Sequence, residues 1–283
     1  MNYRHSFHAG NFADVLKHAV LARILLHLNG KPTPYRLIDT HAGSGRYDLN
    51  ADDASRTHEW KDGIARLDRS PLAPAAEALL APYRTALSAI RAEHSAEAYP
   101  GSPWLCRHAM RPFDRLIAAE LHPQTYTKLV ETLARDSRCK PLAIDGWTAL
   151  RANVPPKERR GLVLIDPPFE EKDEFATLTS QFIAAHRKWP TGIYMLWYPL
   201  KDRNAVSTMV DDVLDAGIGR LLQLEIDVDR PEAAGGLSAT GLLIANPPWR
   251  LAEEMETLLP ALTERLAQGQ RPRYHCEAMR PDG

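Results

Sequence analysis

The sequence has little of what would make it a stapled secreted domain, a membrane protein or a polycation. Its three cysteines among 283 residues, Cys106, Cys139 and Cys276, stand far apart and form no CxxC pair. Neither a disulfide framework nor a zinc site is written in that spacing, and a reducing compartment is the default. No window approaches the roughly 18 consecutive apolar residues of a membrane span. The opening MNYRHSFHAGNFADVLKHAV carries no apolar run behind a basic segment, so no leader is read there. The expectation is a soluble, cytoplasmic protein. Neither charge is in excess: 35 Lys and Arg face 36 Asp and Glu, for a formal charge of −1. That excludes histone-like binding of nucleic acid by bulk charge and implies modest salt dependence, while leaving room for a local basic patch.

What is present is an ordinary globular composition, 44% hydrophobic and 25% charged, far from the regime of disorder. At roughly 150 residues per domain, the length fits two domains or one α/β domain with an insertion. Seven short aliphatic runs read as strands, at 35–39, 116–120, 142–145, 162–166, 193–197, 221–228 and 241–245. Stretches with helical spacing, such as 123–135 and 174–187, separate the first five. Alternation of this kind predicts βαβ units and a mostly parallel sheet. Residues 229–240 hold no convincing helix, so the last two strands are expected to form an antiparallel hairpin at one edge. About 76 residues separate the first strand from the second, more than a crossover needs. Helical spacing at 56–67 and 75–96 points to a small helical subdomain inserted at 51–98, within a domain made of 1–50 and 99–283. Phe12, Val15, Leu16, Ala19, Val20 and Leu28 form the stripe of a first helix, and a last helix at 251–267 is expected to kink at Pro260.

Two motifs carry chemistry. Asp39-Thr40-His41-Ala42-Gly43-Ser44-Gly45 follows the first strand, where small residues let backbone approach a ligand at the crevice of an open sheet. A purely structural glycine turn is the alternative. Glu120, ending the second strand, is placed to accept from ribose hydroxyls, or else is a solvated strand end. Asp145-Gly146 after the third is placed to read a cofactor's adenine amine, or forms an Asx turn. With Asp166, these residues and Asp39 set four carboxyl groups along one sheet edge. A metal would also use carboxylates, but the glycine turn favours a nucleoside cofactor, and no metal is expected.

The second motif is Asp166-Pro167-Pro168-Phe169, ending the most apolar run in the chain. Two prolines stop the strand and stiffen the backbone. Asp166 and the Pro167 carbonyl can then accept hydrogen bonds from an exocyclic amine while Phe169 stacks on a base. Amine methylation needs this, because an adenine amine's lone pair is delocalised until its hydrogens are drawn toward two acceptors. Asn246-Pro247-Pro248-Trp249 fits the same pattern. It ends the seventh strand, away from the glycine turn, and is read as a structural strand end.

With those residues in place, the chain resembles the bacterial 23S ribosomal RNA adenine N6-methyltransferases of the RlmJ type. The resemblance covers essentially the full length: YRHSFHAGNFADVLKH at 3–18, DTHAGSGRY at 39–47, YPGSP at 99–103, ELHP at 120–123, DG at 145–146, RRGLVLIDPPF at 159–169, TGIYMLWYP at 191–199 and the terminal NPPW. It implies a class I, Rossmann-like methyltransferase fold with a seven-stranded sheet. It also implies S-adenosylmethionine as cofactor and one adenine of 23S rRNA as acceptor. By motif, the cofactor contacts would be His18, His41, Gly43, Gly45, Ser102, Glu120, Asp145 and Gly146, with Asp166, Pro167 and Phe169 at the amine. The N-terminal block would close over the site and bring Tyr3, His5 and Lys17 to the RNA. Phe169 stands where relatives often have Tyr, which keeps stacking and removes a hydroxyl.

Taken as residues alone, His5 and His8 read as solvated surface and Lys17-His18 as the polar face of a helix. Their crowding with Tyr3 and Arg4 also suits phosphate contact and base stacking. Lys157, Arg159 and Arg160, and Arg107, Arg111 and Arg115, are further basic candidates for RNA contact, although such charge runs are more often solvated than RNA-bound. The substrate expected is exposed or deproteinised rRNA, and the enzyme a monomer without membrane association. A DNA adenine methyltransferase and a non-catalytic nucleic-acid-binding protein remain alternatives, whereas the lack of GxGxxG speaks against a nicotinamide dehydrogenase.

Overall fold

The run 161–165, GLVLI, is apolar throughout because the strand it forms is covered on both faces. The computed structural model describes residues 5–133, 136–170, 173–231 and 236–279, the side chain of Ser55 excepted. The N-terminal half comprises α1 (Phe12–Asn29), β1 (Tyr35–Asp39), β2 (Arg46–Asp48), α2 (Asp52–Thr57), α3 (Ile64–Asp68), α4 (Pro74–Glu93), β3 (Ala98–Pro100) and α5 (Ser102–Ala109). Next come β4 (Arg115–Ala119), α6 (Pro123–Leu133), β5 (Cys139–Leu142), α7 (Gly146–Asn153) and β6 (Arg160–Ile165). The remainder is α8 (Glu174–Lys188), β7 (Ile193–Pro199), α9 (Arg203–Asp215), β8 (Leu221–Asp227), β9 (Ala239–Ala245), α10 (Leu251–Leu266) and β10 (Arg273–Met279). Among the described residues no helix is long and apolar enough to cross a membrane.

The main sheet runs β10-β8-β9-β7-β6-β1-β4-β5. The five strands from β7 to β5 are parallel, and β9, β8 and β10 are antiparallel to their neighbours. The sheet thus has eight strands where seven were expected. The added strand, β10, pairs along its whole length with β8, from Arg273↔Asp227 to Met279↔Leu221. Its sequence RYHCEAM lacks an apolar run because, as an edge strand, it leaves most side chains in solvent. The third parallel strand also ends earlier than expected, at Leu142. Pro141, which has no N–H to give a ladder, is tolerated there because β5 is the other edge.

Alternate residues of the central strands feed two cores. Leu37, Leu162, Leu164 and Met195 join α1, α4, α5 and α10 on one face, while Ile38, Val163, Ile165 and Leu196 join α7, α8 and α9 on the other. Each such side chain contributes roughly 1.5–3 kcal/mol on burial. The helices of residues 51–98 share the first core: Leu80, Tyr83, Leu87 and Ile90 of α4 pack with Leu16, Val20 and Ile24 of α1. The last helix continues through Pro260 as one element.

Because α1 is enclosed by these neighbours, it has no solvated face along its first three turns. Asp14, Lys17 and His18 are buried there, so the reading of Lys17-His18 as a polar face is overturned. Asn11 caps the helix by accepting from the Asp14 N–H.

Candidate active site

The glycine turn is stitched to its neighbours. Thr40 N–H donates to the Leu164 carbonyl at 3.1 Å and Ala42 N–H to the Ala119 carbonyl at 2.9 Å, so the turn continues from β1 over the ends of β6 and β4. Gly43 (φ +61°) and Gly45 (φ +75°) adopt the left-handed backbone that side chains disfavour. A Cβ on Gly43 would lie 2.3 Å from the Tyr47 hydroxyl. The Gly101 N–H donates to the Gly45 carbonyl at 2.7 Å, which brings Ser102 to the same edge.

A cleft of about 750 Å³ opens above the carboxyl ends of the parallel strands. Of the residues named from sequence, it is lined by His5, Lys17, His18, His41, Gly43, Ser102, Glu120, Asp145, Gly146 and Asp166. Gly45, Pro167 and Phe169 lie off that lining. The Phe169 ring packs instead on Phe175, with centroids 4.8 Å apart, and edge-on to Trp197 at 5.7 Å. Tyr3 lies outside the described residues. Thr40 and Tyr47 of the glycine-turn segment and Leu121 of ELHP also line the cleft, as does Thr125, which lies in no quoted motif.

The carboxylates divide by environment. Glu120 Oε1 accepts from His122 N–H at 2.7 Å, and burial raises its pKa. Asp145 does not end a strand; it caps α7, with Oδ2 accepting from Thr148 N–H at 2.8 Å. Each therefore spends at least one oxygen on its own turn. Asp39 is fully buried beneath the turn, and burial pushes its pKa up to about 7. Ser102 Oγ donates to its Oδ2 at 2.7 Å, and among the described residues Oδ1 has no hydrogen-bond partner. Burial also lowers His41 to about 4, leaving a neutral ring whose Nδ1 meets Thr40 Oγ1 at 2.8 Å. An acceptor-rich cleft over a glycine turn, with the His41 ring neutral, fits a nucleoside ligand, so the residues present suit a nucleoside cofactor.

Beside it runs a chain of charges that the sequence did not reveal. Lys17 Nζ lies 2.5 Å from Asp166 Oδ2 and 2.9 Å from Asp14 Oδ1, with only 5% of the Lys17 side chain exposed. Asp14 Oδ2 meets His5 Nε2 at 3.0 Å and the Gly10 N–H at 2.9 Å. Burial opposes the Lys17 charge, but the two carboxylates hold Lys17 well above its ordinary pKa. Burial likewise opposes ionisation of Asp14, and His5 and Lys17 overcome it, holding the carboxyl well below its usual range. His18 is neutral: burial lowers it to about 3, and its Nδ1 pairs with the Tyr99 hydroxyl at 2.9 Å, which in turn meets the Tyr83 hydroxyl at 2.8 Å. The only signal for Asp14 was its spacing, three and four residues before Lys17 and His18 on one helix. His8, read as solvated, meets Glu59 Oε2 at 3.0 Å through Nδ1.

The second proline motif sits at the opposite pole. Because β9 is antiparallel to β7, its end falls beside the start of β7, and Asn246 Nδ2 donates to the Pro190 and Gly192 carbonyls at 2.8 Å each. Asp166 and Asn246 thus flank opposite ends of the sheet.

A family model described as ribosomal RNA large subunit methyltransferase D, RlmJ, matches residues 32–276. The chain is 40% identical over 266 residues to ribosomal RNA large subunit methyltransferase J of Escherichia coli, covering 94% of each. It is 37% identical over 268 residues to the protein of the same name from Haemophilus influenzae, again covering 94% of each. A crystal structure of a Legionella pneumophila protein superposes with a TM-score of 0.85 at 33% identity, covering 96% of this chain and 98% of that one. The glycine turn, the Asp-Pro-Pro-Phe strand end and the buried N-terminal charges therefore belong to a chain of the RlmJ family of ribosomal RNA large subunit methyltransferases.

Proposed function

We propose that this protein transfers a methyl group from S-adenosylmethionine to the exocyclic N6 amine of an adenine in 23S rRNA. The observation that carries this reading is the position of Asp166. It sits at the carboxyl end of β6, next to the glycine turn of β1, with Oδ2 held by Lys17. Lys17 holds Oδ2 and so aims the carboxylate, with Oδ1 the oxygen left to accept from the amine.

Bound S-adenosylmethionine supplies an electrophilic sulfonium methyl. Glu120 is assigned to the ribose hydroxyls and Asp145 with Gly146 to the cofactor's adenine, while His18, His41 and Ser102 shape the cleft. The target adenine leaves its stack, at a cost of about a few kcal/mol that is least in exposed RNA. Asp166 and the Pro167 carbonyl draw the N6 hydrogens toward themselves and localise the lone pair. The ring of Phe169, braced by Phe175 and Trp197, offers a stacking surface. As the N6–carbon bond forms and the sulfur–carbon bond breaks, the displaced N6 proton passes to Asp166 or to water. His5 and Lys17, with Tyr3, are assigned to the RNA side. The enzyme is proposed to act as a cytoplasmic monomer on deproteinised rRNA, with residues 51–98 inserted in a methyltransferase domain formed by 1–50 and 99–283.

Incubation with methyl-labelled S-adenosylmethionine and separated 23S rRNA, tRNA and DNA, followed by nucleoside analysis, tests the reading. Label is expected as N6-methyladenosine from 23S rRNA. Label confined to DNA would assign the acceptor to deoxyadenosine instead, and cofactor binding with no labelled nucleoside would leave a non-catalytic nucleic-acid-binding protein.

A further inference from the structure

We infer that the amino edge of the sheet, the pole opposite the catalytic cleft, is a second RNA-contacting surface that grips phosphates flanking the methylated region. The inference rests on the rRNA substrate proposed above. Basic residues scattered through the sequence converge there by strand register. Arg36 lies beside Arg115 across β1 and β4, Arg160 pairs with Tyr35 across β6 and β1, and Lys140 faces Ile117 across β5 and β4. Lys157, in the loop before β6, joins Arg115 and Lys140 around an open groove of about 900 Å³.

The carboxylates at this pole are already committed. Glu158 pairs with Arg36 at 2.9 Å, Asp136 with Arg138 at 2.6 Å and Asp114 with Arg111 at 2.9 Å. Among the described residues no carboxylate lies within 4.0 Å of Arg115, Lys140, Lys157 or Arg160. Backbone carbonyls hold the two arginines in place: Arg115 donates to Pro112 and Asp114, and Arg160 to Leu28 and Thr33. In a chain of formal charge −1, four such cations on one pole are a concentration, not the average surface.

Phe113 identifies the kind of polyanion. It lines the same groove, 45% exposed, with the Arg111 guanidinium 4.6 Å from its ring centroid. A large exposed aromatic beside unneutralised cations suits phosphates with stackable bases better than an acidic peptide, which offers no π-face in series. Strands of five or six residues separate this pole from the cleft. At roughly 3.3 Å per residue that is about 17–20 Å, a distance the flank of a structured RNA spans. The modest salt dependence implied by the overall charge would then not hold for long RNA.

The test compares the wild-type protein with Lys140→Ala/Lys157→Ala, two exposed side chains outside the catalytic cleft. Retention of deproteinised 23S rRNA on a filter is measured across a range of salt concentrations, in parallel with methylation of a short adenine-containing oligonucleotide. The salt slope of 23S rRNA binding is expected to fall by about one for each lysine removed, with oligonucleotide methylation unchanged. An unchanged slope would overturn the surface, and with it any RNA partner at this pole, leaving an acidic protein as its occupant. Binding needs no methyl transfer, so a slope that falls while no RNA is methylated even by the wild type supports the surface and refutes the catalytic reading alone.

Discussion

Lys17 Nζ and Asp166 Oδ2 stand 2.5 Å apart across 149 residues of sequence, joining the first helix to the strand end that carries the Asp-Pro-Pro-Phe motif. The pair is enclosed, with 5% and 15% of the two side chains exposed. A lysine so buried keeps its charge only beside carboxylates, and Asp14 at 2.9 Å is the second. The helix that packs the sheet therefore also sets the carboxylate proposed as catalytic, which would couple N-terminal packing to chemistry.

Lys17→Met should accordingly do two things. Leaving Asp14 and Asp166 without their shared cation should destabilise the fold by about 3–5 kcal/mol in urea unfolding. Misplacing Asp166 should lower the methylation rate by about a hundredfold or more. Adding Asp14→Asn to Lys17→Met should restore part of the stability, because the buried anion goes with its partner, while activity stays lost. A double variant as unstable as the sum of the two singles would show that the three charges are not coupled.

The two proline motifs should separate cleanly. Asp166→Asn keeps shape but removes the charged acceptor, and kcat should fall about 10²–10³-fold while cofactor affinity by calorimetry is retained. Asn246→Ala, at the other pole, leaves the Pro190 and Gly192 carbonyls without their donor. It should cost about 1–3 kcal/mol of stability with kcat unchanged at a temperature where the variant is folded. Loss of turnover in a folded Asn246→Ala protein would place chemistry at the wrong pole.

Gly43→Ala should weaken cofactor binding for two separable reasons: a φ of +61° and a Cβ 2.3 Å from the Tyr47 hydroxyl. Tyr47→Phe in the same chain removes the clash and leaves the backbone strain, worth about 1–2 kcal/mol. The double variant should therefore recover part of the affinity lost by Gly43→Ala. If Tyr47→Phe recovers none of it, the hydroxyl is not what limits the turn.

The parallel strands were legible because burial on both faces writes them as continuous apolar runs, as in residues 161–165. Their strand-end carboxylates could be counted off the same runs, although Asp145 proved to cap a helix rather than end a strand. β10 was not legible, since a half-wet edge strand alternating Arg, His and Glu looks like a charged tail. Asp14 was hidden differently. An acid in the first turn of a helix has a sufficient explanation in the helix dipole, and only the packing of α4, α5 and α10 around α1 turns it inward. The orientation of Phe169 was equally beyond reach, because spacing along a turn does not say that Phe175 and Trp197 will hold the ring.

Stability should respond to pH through buried groups of opposite sign. His18 and His41 fall to about 3 and about 4 in the fold, from an ordinary value of 6.5. Between about pH 4.5 and 6 the unfolded chain holds their protons and the folded one does not. Their contribution is complete above 6.5 and is lost as pH falls through the folded values. Asp39 runs the other way: raised from 3.8 to about 7, it keeps a proton in the fold that the unfolded chain has released, so its contribution is complete below 3.8 and lost as pH rises through 7. One linked proton changes the slope of stability against pH by about 1.4 kcal/mol per unit. Asp39→Asn should therefore steepen the rise of stability between pH 4.5 and 6 by about that amount, and His18→Gln should flatten it by about as much. Urea unfolding at half-unit pH steps reads both slopes, and a change of the opposite sign in either variant would mean that the assigned group is not protonated in the fold as described.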